Sequence, residues 1–336
     1  MKVDFRQKQY FIEEPEKILE GTSRLSGFKP SKLIYKGEVR REDWIGSLVY
    51  EGLYRGKEAI LKIQGLRPEE DEPQIMAKFM TQNKSSIIRT ANIYWHQPWN
   101  KKDRFGAFVV EKVQSPQIFK YPNANKKQKI LFRNFYDEFH MEALKEPWEN
   151  VSVDEKTNIK FFQKRIKRLM GERPDIKLPE EDKERIKRFS DFVDERIEDS
   201  ATVFTHGHLG ADDIHFDGKE YIIMSNLAWG YKPECYDLVF IIWGCLHKIR
   251  DAKINLQKAQ KLIAGWFSAY KDLKYLKNVV DWELKAKQSL LYFVLASIVV
   301  QLYSDEHKRT ASQLELDTLF KIHRHLFDNL YDQLNL

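Results

Sequence analysis

The stretch Val203-Phe-Thr-His-Gly-His-Leu-Gly-Ala-Asp-Asp-Ile-His-Phe216 carries more chemistry than any other part of the chain. Three histidines and two adjacent aspartates sit in a short apolar frame with Gly207 and Gly210 between them. After Gly218 comes a short apolar run, Tyr221–Met224, and then Ser225-Asn-Leu-Ala-Trp-Gly-Tyr-Lys-Pro-Glu-Cys-Tyr-Asp-Leu238. Valine, isoleucine and aromatic residues bounded by glycine and aspartate predict short strands over 203–217 and 220–226. The island is therefore a set of strands and tight loops presenting polar side chains.

Helical patterns surround it. On the N-terminal side, Ile130, Phe132, Phe135, Phe139 and Leu144 predict one helix, 159–170 a second and 184–197 a third. Beyond it, helices are predicted over 236–248, 256–270, 284–303 and 313–330. The window 151–200 holds 13 Lys/Arg and 13 Asp/Glu, and mixed signs at helical spacing read as solvated faces.

The first third reads differently. Leu33–Val39, Ser47–Tyr54 and Glu58–Ile63 are strand-like, with Gly56-Lys57 placed for a tight hairpin. The charged stretch Pro68–Pro73 opens a helical pattern through Ile75, Met76, Phe79 and Met80. Two further strands are expected over 91–96 and 105–113. The pattern is a five-stranded antiparallel unit with one helix after its third strand.

These residues, in this order, resemble the aminoglycoside phosphotransferase and choline kinase-like family, which shares the protein-kinase fold. His206, Gly207, Leu209 and Ile214 match its catalytic loop, and Tyr236-Asp237-Leu238 its following helix start. Ala59-Ile-Leu-Lys62 looks like the third-strand lysine motif, and Glu72 stands where the lysine's glutamate partner belongs. Val109-Val-Glu-Lys-Val113 looks like the hinge that holds adenine through its backbone, which makes Glu111 and Val113 nucleotide-binding candidates. The resemblance implies an α+β, two-lobed fold, with an N-terminal lobe over 1–113, a helical C-terminal lobe over 114–336 and the catalytic-loop region at 203–238. It implies ATP and Mg²⁺ as cofactors and a nucleotide or small molecule as ligand in the interlobe cleft. It also implies that His206 and Asp237 brace the loop.

Phosphoryl transfer needs a lysine on the phosphates, carboxylate and carbonyl ligands on Mg²⁺, and a base for the attacking hydroxyl. Lys62 is present. The family's proton-accepting Asp is His208, its loop Asn is Asp213, and its strand-end Asp is Ser225, followed by Asn226. A neutral hydroxyl is a weak ligand for so hard a cation, so Asp213, Ser225 and Asn226 make a poor metal set. The phosphate-covering segment, Arg40-Arg-Glu-Asp-Trp-Ile-Gly46, has one glycine and a bulky Trp44. These departures point to a catalytically degenerate, pseudokinase-like homologue that keeps a ligand-binding cleft.

Two alternatives stand. One is an active ATP- and Mg²⁺-dependent small-molecule phosphotransferase in which imidazole at His208 acts as the base and Asp213, with Asp212 or Asn226, holds metal. The other is a protein-interaction scaffold with a protein partner and no nucleotide. A zinc site at His206, His208 and His215 would need more convergent ligands than the spacing offers. Trp229 and Trp243 read as core aromatics.

Composition sets the remaining bounds. The chain has 336 residues, 42% hydrophobic and 32% charged, enough for a sizeable core in two or three folding units. A net charge of +6 is mild and gives no argument for nucleic acid. Two cysteines, Cys235 and Cys245, exclude a disulfide framework and fit a reducing compartment. No secretory leader is visible at the N-terminus, and the apolar run 290–300 is too short to span a bilayer. A cytoplasmic location with no membrane partner is expected.

Overall fold

A computed structural model describes residues 12, 14–38, 45–65, 71–100, 102–144, 147–148, 164, 166–167, 170–171, 176–196, 202–248, 253–303 and 311–335. The expected helix over 159–170, Val39 and residues 40–44 of the phosphate-covering segment lie wholly or mostly outside these. The chain divides into two compact units. The first is Met1–Thr81, Arg89–Ser115 and Asp217–Leu227; the second is Gln82–Ile88, Pro116–Phe216 and Ala228–Leu336.

The first unit is built on a five-stranded antiparallel sheet. Its strands are β1 (Phe28–Glu38), β2 (Ile45–Tyr54), β3 (Lys57–Gln64), β5 (Ile93–Gln97) and β6 (Gly106–Glu111), in the order β1-β2-β3-β6-β5. The hairpin between β2 and β3 pairs Tyr54 with Lys57, so its two-residue loop is Arg55-Gly56 and not Gly56-Lys57. Both loop residues have positive φ, 50° and 80°, which is the twist that a two-residue hairpin favours.

Alternation along β3 divides its side chains between two layers. Ala59, Leu61 and Ile63 enter one apolar cluster with Phe28, Leu48 and Val109. Ile60 packs on the other, with Met76, Phe108, Val110 and Ile222. Helix α2 (Glu72–Gln82) follows β3, as expected, and supplies Met76 to the second cluster. A short strand β4 (Ile88–Thr90) precedes β5. One helix was not foreseen, α1 (Pro15–Ser26). It begins on a proline in its first turn and ends at Gly27 with φ 76°, a start and stop that the sequence does display.

The second unit is mostly helical. Helix α3 (Lys126–Glu138) starts in a capping box between Asn125 and Gln128 and runs into a π-turn over Phe139–Ala143. Further α-helices among the described residues include α4 (Glu180–Arg196), α5 (Tyr236–His247), α6 (Leu256–Tyr270), α7 (Trp282–Val299) and α8 (Gln313–Asn335). Aromatic rings fill the core, with Phe132 edge-on to Trp266 at 5.7 Å.

The apolar run 290–300 belongs to a longer helical stretch than its own length suggests. Trp282–Tyr303 is long and apolar enough to cross a membrane, but 72% of its apolar window is buried within the protein. It packs against α5 and α8. Its one polar residue in the run, Ser297, accepts from Trp243 Nε1 at 2.8 Å and donates to the Phe293 carbonyl at 3.0 Å. A buried core helix satisfies its hydroxyl in this way.

The strand-rich island forms β7 (Thr202–Thr205), β8 (Ile214–Phe216), β9 (Tyr221–Ile223) and β10 (Gly230–Pro233). β7 pairs antiparallel with β10. The catalytic-loop candidates thus sit between β7 and β8, in the second unit.

Candidate functional site

In the first unit the β3 alternation that buries Leu61 sends Lys62 to the opposite layer, over the Phe108 ring at 5.8 Å. Its ammonium forms an ion pair with Oε2 of Glu72 at the start of α2. The Glu72 side chain is only 6% exposed, and it is fully engaged. Gln64 donates to Oε2 at 3.4 Å, and the backbone N–H of Asn226 donates to Oε1 at 2.8 Å. A buried carboxylate needs such a set of donors. Lys62, Glu72 and the backbone of Asn226, in the turn beyond β9, are therefore brought together, and the lysine and glutamate pair as the sequence expected.

Ser225 stands at the turn after β9 with φ 57°, exposed to solvent. Asn226 is 1% exposed, and its amide donates inward to the Ile223 carbonyl at 3.3 Å. A tight turn thus sends residue 226 into the protein.

Glu111 ends β6. Its carboxylate takes both Arg89 nitrogens, at 2.8 and 3.1 Å, and the backbone and side-chain N–H groups of Asn92, at 3.1 and 2.8 Å. Burial opposes its charge, yet the Arg89 and Asn92 bonds hold the carboxyl below its ordinary value. Val113 lies at the rim of the apolar cluster with Ile60 and Met224.

In the second unit the loop after β7 is anchored from α5. Asp237 accepts from the Thr205 hydroxyl and from the Gly207 N–H at 3.4 Å. It is 1% exposed, and burial raises its pKa although both bonds work the other way. Its Oδ1 has no hydrogen-bond partner among the described residues. Gly207 has φ 70°, and a Cβ there would lie 2.5 Å from the Ala228 carbonyl oxygen. Only glycine fits that corner. His206 is fully buried against Trp229, with ring centres 5.1 Å apart.

The turn Gly210–Asp213 carries Asp213 back to His208, whose Nδ1 lies 2.9 Å from Oδ2 of Asp213. A carboxylate only accepts, so Nδ1 carries the proton and the neutral ring keeps its lone pair on Nε2. The imidazole is half-exposed, at 52%, and rests on Phe240 at 4.6 Å. Nε2 has no hydrogen-bond partner among the described residues. Asp212 pairs instead with Lys248 at 3.1 Å. Tyr121, which no sequence pattern marked, takes the Ala211 N–H on its hydroxyl oxygen at 2.9 Å and so props the same turn.

Partial desolvation pulls the His208 pKa down. The Asp213 hydrogen bond and the charges of Asp213, Asp212 and Asp237 outweigh it, leaving the ring above its ordinary value. A raised histidine contributes stability that is full below the unfolded pKa of about 6.5 and is lost as pH rises through the folded value. Asp213→Asn is expected to lower the His208 midpoint in an NMR titration of its ring carbons. An unchanged midpoint would show that the pair does not control the ring.

Among the described residues no group of three or more His, Cys, Asp or Glu side chains is placed to hold a metal ion. His215 instead lies in an isolated bridge with Gln117. Both cysteines are buried free thiols whose pKa burial pushes up to about 12, so neither is an activated nucleophile.

No family model and no curated protein matches the sequence. Solved structures do match along nearly the whole chain. Amicoumacin kinase hAmiN, in complex with AMP-PNP, Ca²⁺ and Ami, superposes with a TM-score of 0.56 at 15% identity, over 96% of this chain and 97% of its own. Aminoglycoside phosphotransferase APH(4)-Ia, a thermostable mutant in a ternary complex with ADP and hygromycin B, gives 0.56 at 8% identity, over 94% and 98%. A choline/ethanolamine kinase family protein from Mesorhizobium loti gives 0.56 at 11% identity, over 95% and 98%. The chain therefore has the α+β, protein-kinase-like fold of aminoglycoside phosphotransferases and choline kinase-like proteins.

Proposed function

We propose that this protein binds a nucleotide through Lys62 and the Glu111–Val113 strand end, and that it is degenerate for metal-dependent phosphoryl transfer. One contrast carries the reading. The Lys62–Glu72 pair is complete, whereas the turn after β9 offers an exposed hydroxyl at Ser225 and an amide at Asn226 that bonds inward to Ile223. A lysine held on a buried carboxylate suits phosphate oxygens, and the apolar rim of Ile60, Val113 and Met224 suits a planar base. Without a carboxylate at the strand end, Mg²⁺ loses its principal ligand there. The solved structures with AMP-PNP or ADP add support by analogy of fold. A nucleotide ligand and two free thiols suit a reducing, cytoplasmic setting.

The His208–Asp213 pair favours a second reading, an active small-molecule phosphotransferase. There Nε2 of His208 takes the proton of an acceptor hydroxyl as its oxygen bonds to the γ-phosphorus and ADP leaves. Asp213 fixes the tautomer and stabilises the imidazolium. Mg²⁺, when bound, would neutralise phosphate charge, with Asp212 and Asp213 as its carboxylate candidates. Both are already paired with cations or a histidine, which ranks this reading second.

Thermal melts with ADP and ATP, with and without Mg²⁺, separate the readings, because a ligand of the folded state raises Tm by mass action. Stabilisation that is independent of Mg²⁺ supports nucleotide binding without transfer. Stabilisation that requires Mg²⁺, with turnover lost in His208→Ala, supports the active enzyme. No stabilisation by either nucleotide overturns both and leaves a protein-interaction role.

A further inference from the structure

The donors around Glu111 are more than a strand-end carboxylate on a surface would need. Isolated surface ion pairs contribute little. Here the Arg89 guanidinium grips both carboxylate oxygens in a fork, which fixes geometry as well as charge. The same guanidinium donates through Nε to Glu220 at 3.0 Å and through Nη1 to the Thr90 carbonyl at 3.1 Å. The Glu111 N–H is bonded to the Asn92 carbonyl at 2.8 Å. Arg89 and Glu111 are only 24% and 21% exposed. One arginine thus ties together β4, the end of β6 and the turn before β9.

What this clamp fixes directly is Glu111, the last residue of β6, where the chain leaves the sheet toward Val113. Nothing in it touches Lys62 or Glu72. The two halves of a nucleotide would therefore depend on separate devices, the phosphates on Lys62 and the base on the Glu111–Val113 backbone. We infer that Arg89 is a positioning residue for nucleobase recognition, holding the Glu111–Val113 backbone through the Glu111 carboxylate. The inference rests on the nucleotide-binding reading above.

Calorimetry with two probes tests it, ADP and inorganic tripolyphosphate, which has no base or sugar. Arg89→Ala is expected to weaken ADP about tenfold, the worth of one charge-assisted anchoring contact, and to leave tripolyphosphate within about twofold. Lys62→Ala is expected to weaken both. Arg89→Lys, which keeps the charge but not the fork, should recover part of the ADP affinity. Asn92→Ala removes the side-chain donor to Glu111 and should shift ADP in the same direction, which keeps the test open if Arg89→Ala does not fold. An ADP affinity unchanged in Arg89→Ala overturns the clamp alone, as does an equal loss for both probes. Wild-type protein that binds ADP but not tripolyphosphate overturns the division between base and phosphates. Wild-type protein that binds neither overturns the nucleotide reading and the clamp with it.

Discussion

Replacing Lys62 with alanine is expected to lower nucleotide affinity by roughly ten- to a hundredfold, since a hydrogen bond to a charged group is worth about 1.5–3 kcal/mol. The reason lies on the far side of the lysine. Glu72 is fixed independently by donors from Gln64 and the Asn226 backbone, so it presents a preset acceptor to Lys62. The ammonium is thus held in place by the carboxylate, on a lysine side chain that is 22% exposed. The same substitution leaves a buried carboxylate short of one partner, at a stability cost of about 1–3 kcal/mol. Glu72→Gln separates the two effects, because it keeps a polar acceptor but loosens the lysine. Titration of both variants with ADP checks this, and an affinity equal to wild type in Lys62→Ala would remove the lysine from the binding site.

The second large effect concerns Asp237. Asp237→Ala leaves the Thr205 hydroxyl and the Gly207 N–H buried without their acceptor. At about 1–3 kcal/mol for each stranded group, a fall in Tm on the order of 10 °C is expected. Asp237→Asn keeps an oxygen for both donors and should retain most of the stability. The two differ in pH dependence. Burial raises the Asp237 pKa, so the native state holds the proton more tightly than the unfolded chain. The native protein therefore loses stability as pH rises from the unfolded value, near 3.8, through the folded one. The asparagine variant cannot ionise and should lack this slope. Parallel Tm profiles for wild type and Asp237→Asn between pH 4 and 7 would count against the raised carboxyl.

Much of the fold was legible because its signals are local. Helix α6 matches its expected bounds, 256–270, where Asn255 caps the first turn and the apolar period holds to Tyr270. The lysine pair was legible too, since a strand motif followed by a glutamate at a helix start needs only order, not distance. Helix α1 was missed although Pro15 and Gly27 bracket it, because its own residues are mostly polar and it buries little, chiefly Thr22 and Ser26. Arg89 could not be picked out among 56 lysines and arginines, for its meaning comes from Glu111, Asn92 and Glu220 meeting in space. The pairing of His208 with Asp213 depends on how tightly the chain turns at Gly210. The inward course of Asn226 depends on the positive φ at Ser225. Residue types gave the candidates in both cases, and turn geometry decided where their atoms point.

The acid at the head of α2 is held from β3 by Lys62 and Gln64 and from the turn after β9 by Asn226. Swinging this helix outward would strip a sequestered anion of every stabilising neighbour in a single movement. The helix therefore acts as a bolt: displacing its first turn costs the ion pair and both hydrogen bonds together.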